Sequence, residues 1–322
     1  MPHAHDEATW SPRHSIATIM SIEPTVSVVI PCYNGQEFIH ETLTSVLNQT
    51  HAPLEVLVID DGSTDDSAAI AESFGDPVRV IRQANQGESV ARNMGMDAAR
   101  GQWIALLDAD DLWTPEKLEQ QLAVTDADVV AVHTNLYFFG DESGETQVQD
   151  IPIEKRYAVE ELAKGNTFCS PSSLLVKRHL APRFPTWTQY AEDLIFCLEL
   201  VQLGNIVLVE APLTGYRRHQ ASQSAQKLTV AVDWFHTIER WLADNQQLFT
   251  AEQRDVIRTC WLSQITGAGW QLKERREWEA FWSVRDFLQD HAGHPAVDLL
   301  LANRIYPPWL YRAFDAMRLR SR

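Results

Sequence analysis

The sequence predicts an α/β fold with a mainly parallel sheet flanked by helices and a helical C-terminal region. Three observations predict it. Short apolar runs that stop at turn residues alternate with helical patterns of roughly 10–15 residues, the signature of βαβ units. That order loosens after about residue 125. From Leu228 onward the pattern is helical, and this stretch holds seven of the eleven tryptophans.

Each element has its own warrant. "VSVVIP" from Val26 is a β-branched run ended by Pro31, and "EFIHETLTSVLNQ" carries apolar residues at helical spacing. "LEVLVID" is a second buried strand. "GSTDDSAAIAESF" then opens a helix, with Ser63 and Asp66 spaced as a capping box. "VRVIR" is a third strand, "GESVARNMGMDAA" a helix that Gly101 can end, and "WIALLD" a fourth strand. "TPEKLEQQL" places Thr114 as N-cap and Pro115 at the first helical position. Beyond it come a strand "DVVAVHTNLYFFG", a polar turn "DESGETQ", a short helix "YAVEELAKG" and a strand "SSLLVK". A helix "YAEDLIFCLELVQLG" follows, then a strand from "NIVLVE" running into the polar loop "GYRRHQASQSAQ".

The 322 residues suggest about two domains. Three segments are expected: a flexible leader over 1–24, a domain over 25–227 with halves 25–125 and 126–227, and a helical region over 228–322. A net charge of −17 argues against nucleic acid as a partner, because no broad basic surface can release counterions. Four widely spaced cysteines without a CxxC read as reduced thiols, hence a cytoplasmic expectation. No stretch has the continuous apolar length of a membrane span. The end of the chain, 304–322, sets five arginines among aromatics against one acid. Such a segment can lie on an anionic membrane surface, pack on the domain or contact a second copy.

In parallel sheets ligands bind beyond the carboxyl ends of the strands, which puts "PCYNG", "DDGS" and "DADD" on one rim. Asp108, Asp110 and Asp111 crowd three carboxylates into four positions. They either fan into water as a helix-capping turn or hold a hard cation such as Mn2+ or Mg2+. Asp60 and Asp61 either accept hydrogen bonds from a base or ribose or serve the turn. Tyr33 either stacks on a base or covers the sheet edge.

The blocks "VSVVIPCYN", "LEVLVIDDGSTD", "NQGESVARNMG" and "DADD", in that order from Val26 to about Leu122, resemble the nucleotide-sugar-binding half of family 2 glycosyltransferases. These are inverting enzymes of the Rossmann-like GT-A fold. The resemblance implies that Pro31, Tyr33 and Asp61 line a nucleoside pocket, with Asp60 or Asp61 on the base. Gly87, Arg92 and Asn93 then lie in the block closing over the nucleotide. Asp108 would contact the ribose or sugar, with Ala109 beside it. Asp110, with Asp111 either a second ligand or a cap, would bind Mn2+ or Mg2+ carrying the donor diphosphate. Gln36 stands where the family often has an acid, which leaves the role of Glu37 open.

"YAEDLIF" resembles the family's acidic pair, making Asp193 the general base and Glu192 its neighbour. Acids in a first helical turn also offset the macrodipole. "GYRRHQ" resembles a late Y-R-x-H loop. Arg217 and Arg218 would meet the diphosphate, and His219 either the diphosphate or the metal. Trp234, Trp241, Trp261, Trp270, Trp278 and Trp282 either stack on a sugar acceptor or fill the core.

The expected activity is metal-dependent transfer of a sugar from a nucleotide-sugar, a UDP-sugar by preference. The acceptor would be a glycan, lipid-linked or protein hydroxyl, in surface polysaccharide or glycoconjugate synthesis. Two other classes stay open. A sugar nucleotidyltransferase would carry a basic phosphate loop after the first strand, which "PCYNGQE" lacks. A silent nucleotide-binding or assembly protein would not need both the D-A-D and E-D pairs.

Overall fold

The computed structural model describes residues 23–141, 143–145, 157, 161–162, 170–219, 231–293 and 297. The expected leader, the polar loop after His219 and the basic segment 304–322 lie outside these, apart from the leader's last two residues.

The parallel half forms as expected. Strands β1 (Val26–Cys32), β2 (Glu55–Asp60), β3 (Val78–Arg82) and β4 (Trp103–Leu106) pair in parallel in the order β3-β2-β1-β4. Helices α1 (Ile39–Leu47), α2 (Ser67–Glu72) and α3 (Glu88–Ala98) follow the first three strands.

Beyond β4 come a short strand β5 (Leu112–Trp113), helix α4 (Lys117–Ala123) and strand β6 (Val129–Gly140). Strands β7 (Gly144–Glu145), β8 (Leu175–Lys177) and β9 (Asn205–Arg218) complete nine strands in one sheet among the described residues. Here the sheet is mixed, because β8 runs antiparallel to both β4 and β6, while β6 and β9 pair in parallel. Helix α5 (Glu192–Leu200) precedes β9, and α6 (Ala231–Asp244), α7 (Ala251–Arg275) and α8 (Trp278–Gln289) follow it.

Strand alternation builds two cores, one on each face. Val28 and Ile30 of β1 pack with Ile39 and Leu43 of α1 and Leu118 of α4. Val29, with Leu57 and Ile59 of β2, packs with Ala91 and Met96 of α3, Phe196 of α5, and Phe235 and Trp241 of α6. Each such fully buried side chain contributes roughly 1.5–3 kcal/mol. The tail tryptophans belong here: Trp241 and Trp261 are buried, and Trp234, Trp270, Trp278 and Trp282 pack partly buried against the same cluster.

Three local expectations are corrected. Asp66 stands at the N-cap of α2 without a side-chain cap, so Ser63 and Asp66 form no capping box. Asp65 instead accepts from Ser67 N–H at 3.0 Å. Helix α4 begins at Lys117 rather than at Pro115; Thr114 to Lys117 form a turn closed by Lys117 N–H on Thr114 O at 3.2 Å, while Thr114 N–H bonds Leu213 O of β9. The segment "GYRR" is strand rather than loop, with Arg217 opposite Phe139 and Arg218 opposite Gly140.

Candidate active site

The carboxyl ends of the parallel strands open into one cleft of about 1090 Å3. Pro31, Tyr33, Asp61, Gly87, Asp108, Ala109, Asp110, Glu192 and His219 all line it, so the expected blocks do converge. Glu37 lines it as well.

One side of the cleft is a clasp between two loops. Asn34, held at φ +51°, accepts through Oδ1 from Thr64 N–H at 2.8 Å and donates its own N–H to Ser63 Oγ at 3.0 Å. Gln36 N–H donates to Asp65, and Asp66 N–H returns to Gln36 Oε1. Asp61 is buried and accepts from Gln83 Nε2 at 2.6 Å and from the Gln86 and Gly87 N–H groups at 2.8 Å each. One carboxylate thereby ties the β2 end to the loop before α3, where Gly87 has φ +93°. Asp60 faces away from the cleft lining and accepts from Ser63 N–H at 3.1 Å. Of the two acids, only Asp61 lines the cleft. Tyr33 is left 53% exposed on the rim.

Arg92 and Asn93 do not line the cleft; they hold its wall. Asn93 donates to Phe184 O at 2.8 Å and accepts Phe184 N–H at 3.0 Å, which spends its amide on backbone. Arg92, buried over the Phe184 ring, reaches Glu88 at 2.5 Å, Asp108 at 2.8 Å and Asp193 at 3.4 Å. A single cation so gathers carboxylates from α3, the β4 end and α5. Burial pushes Glu88 and Glu192 above the usual carboxylate range, with Arg92 acting against it. Glu192 lines the cleft, and Asp193, the next residue, is not among the lining residues but stays 35% exposed at 3.4 Å from Arg92. Ala191, just before the pair, is left-handed at φ +57°. Such a strained residue turns the chain sharply into α5 and recurs at functional sites.

The acidic turn divides its labour. Asp110 projects into the cleft with Oδ2 at 2.9 Å from His219 Nε2. Burial and the nearby Asp108 charge raise the Asp110 carboxyl, while His219 lowers it. Asp111 is buried, accepts Arg217 N–H at 2.9 Å, and is absent from the cleft lining. It pins β9 to the turn and is not placed as a ligand. Burial, then Asp110 and Asp108, hold its carboxyl well above the usual range.

Arg217 likewise does not reach the cleft. Its Nε donates to Asp110 O at 2.7 Å, its Nη2 meets Glu41 at 2.7 Å, and its guanidinium lies over Phe38 and Phe139. Arg218 stacks over Phe138 and Tyr216 outside the lining. The partners explain the outcome: Arg217 is held by Asp110 O and Glu41, Arg218 by two aromatic rings, and of these three consecutive residues His219 lines the cleft.

Among the described residues no three His, Cys, Asp or Glu side chains converge as a metal cage. Asp110 and His219 nevertheless fit a hard divalent cation. Such ions are commonly held by one or two protein groups, with water and substrate phosphates completing the shell. A cation there would also relieve the crowded charge that raises Asp110.

One wall was not anticipated. Residues 186–190, "TWTQY", line the cleft between β8 and α5. Its signal was an aromatic-rich polar run directly before the E-D pair.

A family model, Glycosyl transferase family 2, matches residues 27–183. An uncharacterized glycosyltransferase of Haemophilus influenzae is 33% identical over 222 residues, covering 66% of this chain and 87% of that protein. The putative teichuronic acid biosynthesis glycosyltransferase TuaG of Bacillus subtilis is 39% identical over 104 residues, 31% of this chain and 41% of that one. S. aureus TarS 1–349, in complex with UDP-GlcNAc, superposes with a TM-score of 0.64 at 20% identity, covering 86% of this chain and 83% of TarS 1–349. The mannosyltransferase PcManGT of Pyrobaculum calidifontis, in complex with GDP-Man and Mn2+, does so at 0.58 and 19%, covering 93% and 85%. Those two likenesses carry the GT-A fold. With the Haemophilus relative matched along most of its length, and the family model spanning the strands that build the cleft, the chain belongs to glycosyltransferase family 2.

Proposed function

We propose that the protein is an inverting, metal-dependent glycosyltransferase that moves a sugar from a nucleotide-sugar to an acceptor hydroxyl. The observation that carries this reading is the Arg92 node, whose guanidinium joins Asp108 of the donor side to Asp193 of the E-D pair around one cleft. The nucleoside lies between Tyr33 and the Asp61 clasp, and the ribose or sugar at Asp108. Asp193 takes the proton of the acceptor hydroxyl as its oxygen bonds to the anomeric carbon. The carbon–oxygen bond to the diphosphate breaks on the opposite side, which inverts the centre. Asp110 and His219 would hold Mn2+ or Mg2+, whose charge would offset that gained by the leaving diphosphate. Glu192, beside the base, lines the cleft, and burial raises its carboxyl above the usual range against the pull of Arg92.

A UDP-sugar is the preferred donor, by likeness to the TarS complex, and GDP-sugars are the alternative that the PcManGT complex raises. TuaG supports a place in surface polysaccharide synthesis. Among the described residues no helix is long and apolar enough to cross a membrane.

The test is release of UDP or GDP from a panel of nucleotide-sugars, with Mn2+ or with chelator. Asp193→Asn should lower turnover about 10²–10⁴-fold, the worth of a general base, while nucleotide binding persists. Undiminished turnover would remove Asp193 as the base. Nucleotide binding without turnover in the native protein would favour a silent binding protein.

A further inference from the structure

Trp187 takes no part in the reaction just described, yet it borders the cleft with 39% of its surface exposed. The guanidinium of Arg240, on α6, lies 4.1 Å from the centre of its ring. The next residue, Thr188, has its Oγ1 at 3.0 Å from Thr237 Oγ1, also on α6, and accepts Tyr190 N–H at 3.0 Å. Thr237 and Arg240 stand three apart, so one face of α6 grips this loop at two points. A C-terminal helix thus sets the shape of the cleft wall that runs into Glu192. An indole joins a broad apolar face to a polar N–H, which suits it to a wall that is apolar at one end and wet at the other.

A pyranose ring suits such a wall, because its C–H face is apolar and its rim is hydroxylated. Resting on the glycosyl-transfer reading, we propose that Trp187 is a stacking platform for a pyranose of the acceptor. Arg240 and Thr237 are positioning residues that set the angle of the indole. The wall ends at Glu192, so a ring stacked there has its hydroxyls beside the acidic pair. A nucleobase is the other flat occupant, but the Asp61 clasp and Tyr33, both from the parallel half, supply its place.

Protein labelled with 5-fluorotryptophan resolves the indoles by 19F resonance, and Trp187→Phe identifies that of Trp187 by its loss. UDP or GDP with Mn2+ is added first, followed by methyl pyranosides of glucose, galactose, mannose and N-acetylglucosamine at tens of millimolar. At least one pyranoside should shift the Trp187 resonance. Arg240→Ala should weaken that response about two- to fivefold, the worth of an exposed cation–π contact, and Arg240→Lys should restore part of it. A protein that answers to nucleotide but to no pyranoside at Trp187 overturns the platform and keeps the donor site. A Trp187 resonance that moves with nucleotide alone assigns the indole to the donor and overturns it too. A protein that ignores both nucleotides loses the donor reading, and the platform falls with it.

Discussion

Arg92 concentrates the electrostatics of the cleft in one buried side chain. Its guanidinium meets Glu88, Asp108 and Asp193, groups that repel one another without it. Removing one partner of a buried ion pair typically costs about 3–5 kcal/mol, because the remaining charge stays buried. Arg92→Met should therefore lose about that much stability in urea, most of it recovered when Glu88→Gln is added. If the single variant lost under about 1 kcal/mol, a small-effect surface pair would describe it better. Cys32 offers a second test. Burial at the end of β1, with Asp60 and Asp65 nearby, pushes its thiol up from 9.0 to about 11, against hydrogen bonds from Ser67 and Gly35. A raised thiol stabilises the fold below its unfolded pKa and loses that contribution as pH rises from about 9 to 11. Native stability should fall over that window more steeply than in Cys32→Ala. Iodoacetamide should label Cys32 slowly at pH 8, since the thiolate is the reactive form.

At the level of elements, α3 is held against β1 and β2 by an absence. A Cβ on Gly95 would stand 2.3 Å from Val29 Cγ1 and 3.1 Å from Ile59 Cγ1. Alanine favours a helix interior over glycine by about 1 kcal/mol. Overpacking a core typically costs about 1–3 kcal/mol and more where backbone must move. The clash wins, so Gly95→Ala should lower stability, and by shifting α3 should also loosen the Arg92 node. A denaturant midpoint at or above the native one would show that the helix yields easily. The β4–α4 connection makes the complementary point. Its strand end and acidic turn are legible in "WIALLDADD", yet Asp111 is taken up by Arg217 N–H of β9 because an unforeseen strand, Leu112–Trp113, pairs there. Short-range pattern identifies the acids; a partner a hundred residues away decides which of them reaches the cleft.

Across the molecule, the C-terminal helices share a core with the sheet rather than standing apart. Phe235, Trp241, Ile257, Trp261 and Leu272 belong to the same buried cluster as Val29, Leu57 and Phe196. A chain ending at residue 227 would bare that face of α5. It should lose cooperative unfolding or precipitate on expression, measured by urea denaturation and sedimentation. A soluble fragment with native cooperativity would instead establish residues 25–227 as an independent unit.

By itself, the sequence determined the parallel half of the sheet, the rim that carries Tyr33, Asp61, Asp108 and Asp110, and the acidic pair that opens α5. All of these follow from local periodicity and from the rule that parallel strands present their carboxyl ends together. Only the tertiary structure decided the antiparallel insertion of β8, the absence of Asp60, Arg92, Asn93, Asp111, Asp193, Arg217 and Arg218 from the cleft lining, and the entry of Trp187. The physical reason is that a polar side chain goes to whichever partner burial leaves it, and those partners come from elements far apart in the chain.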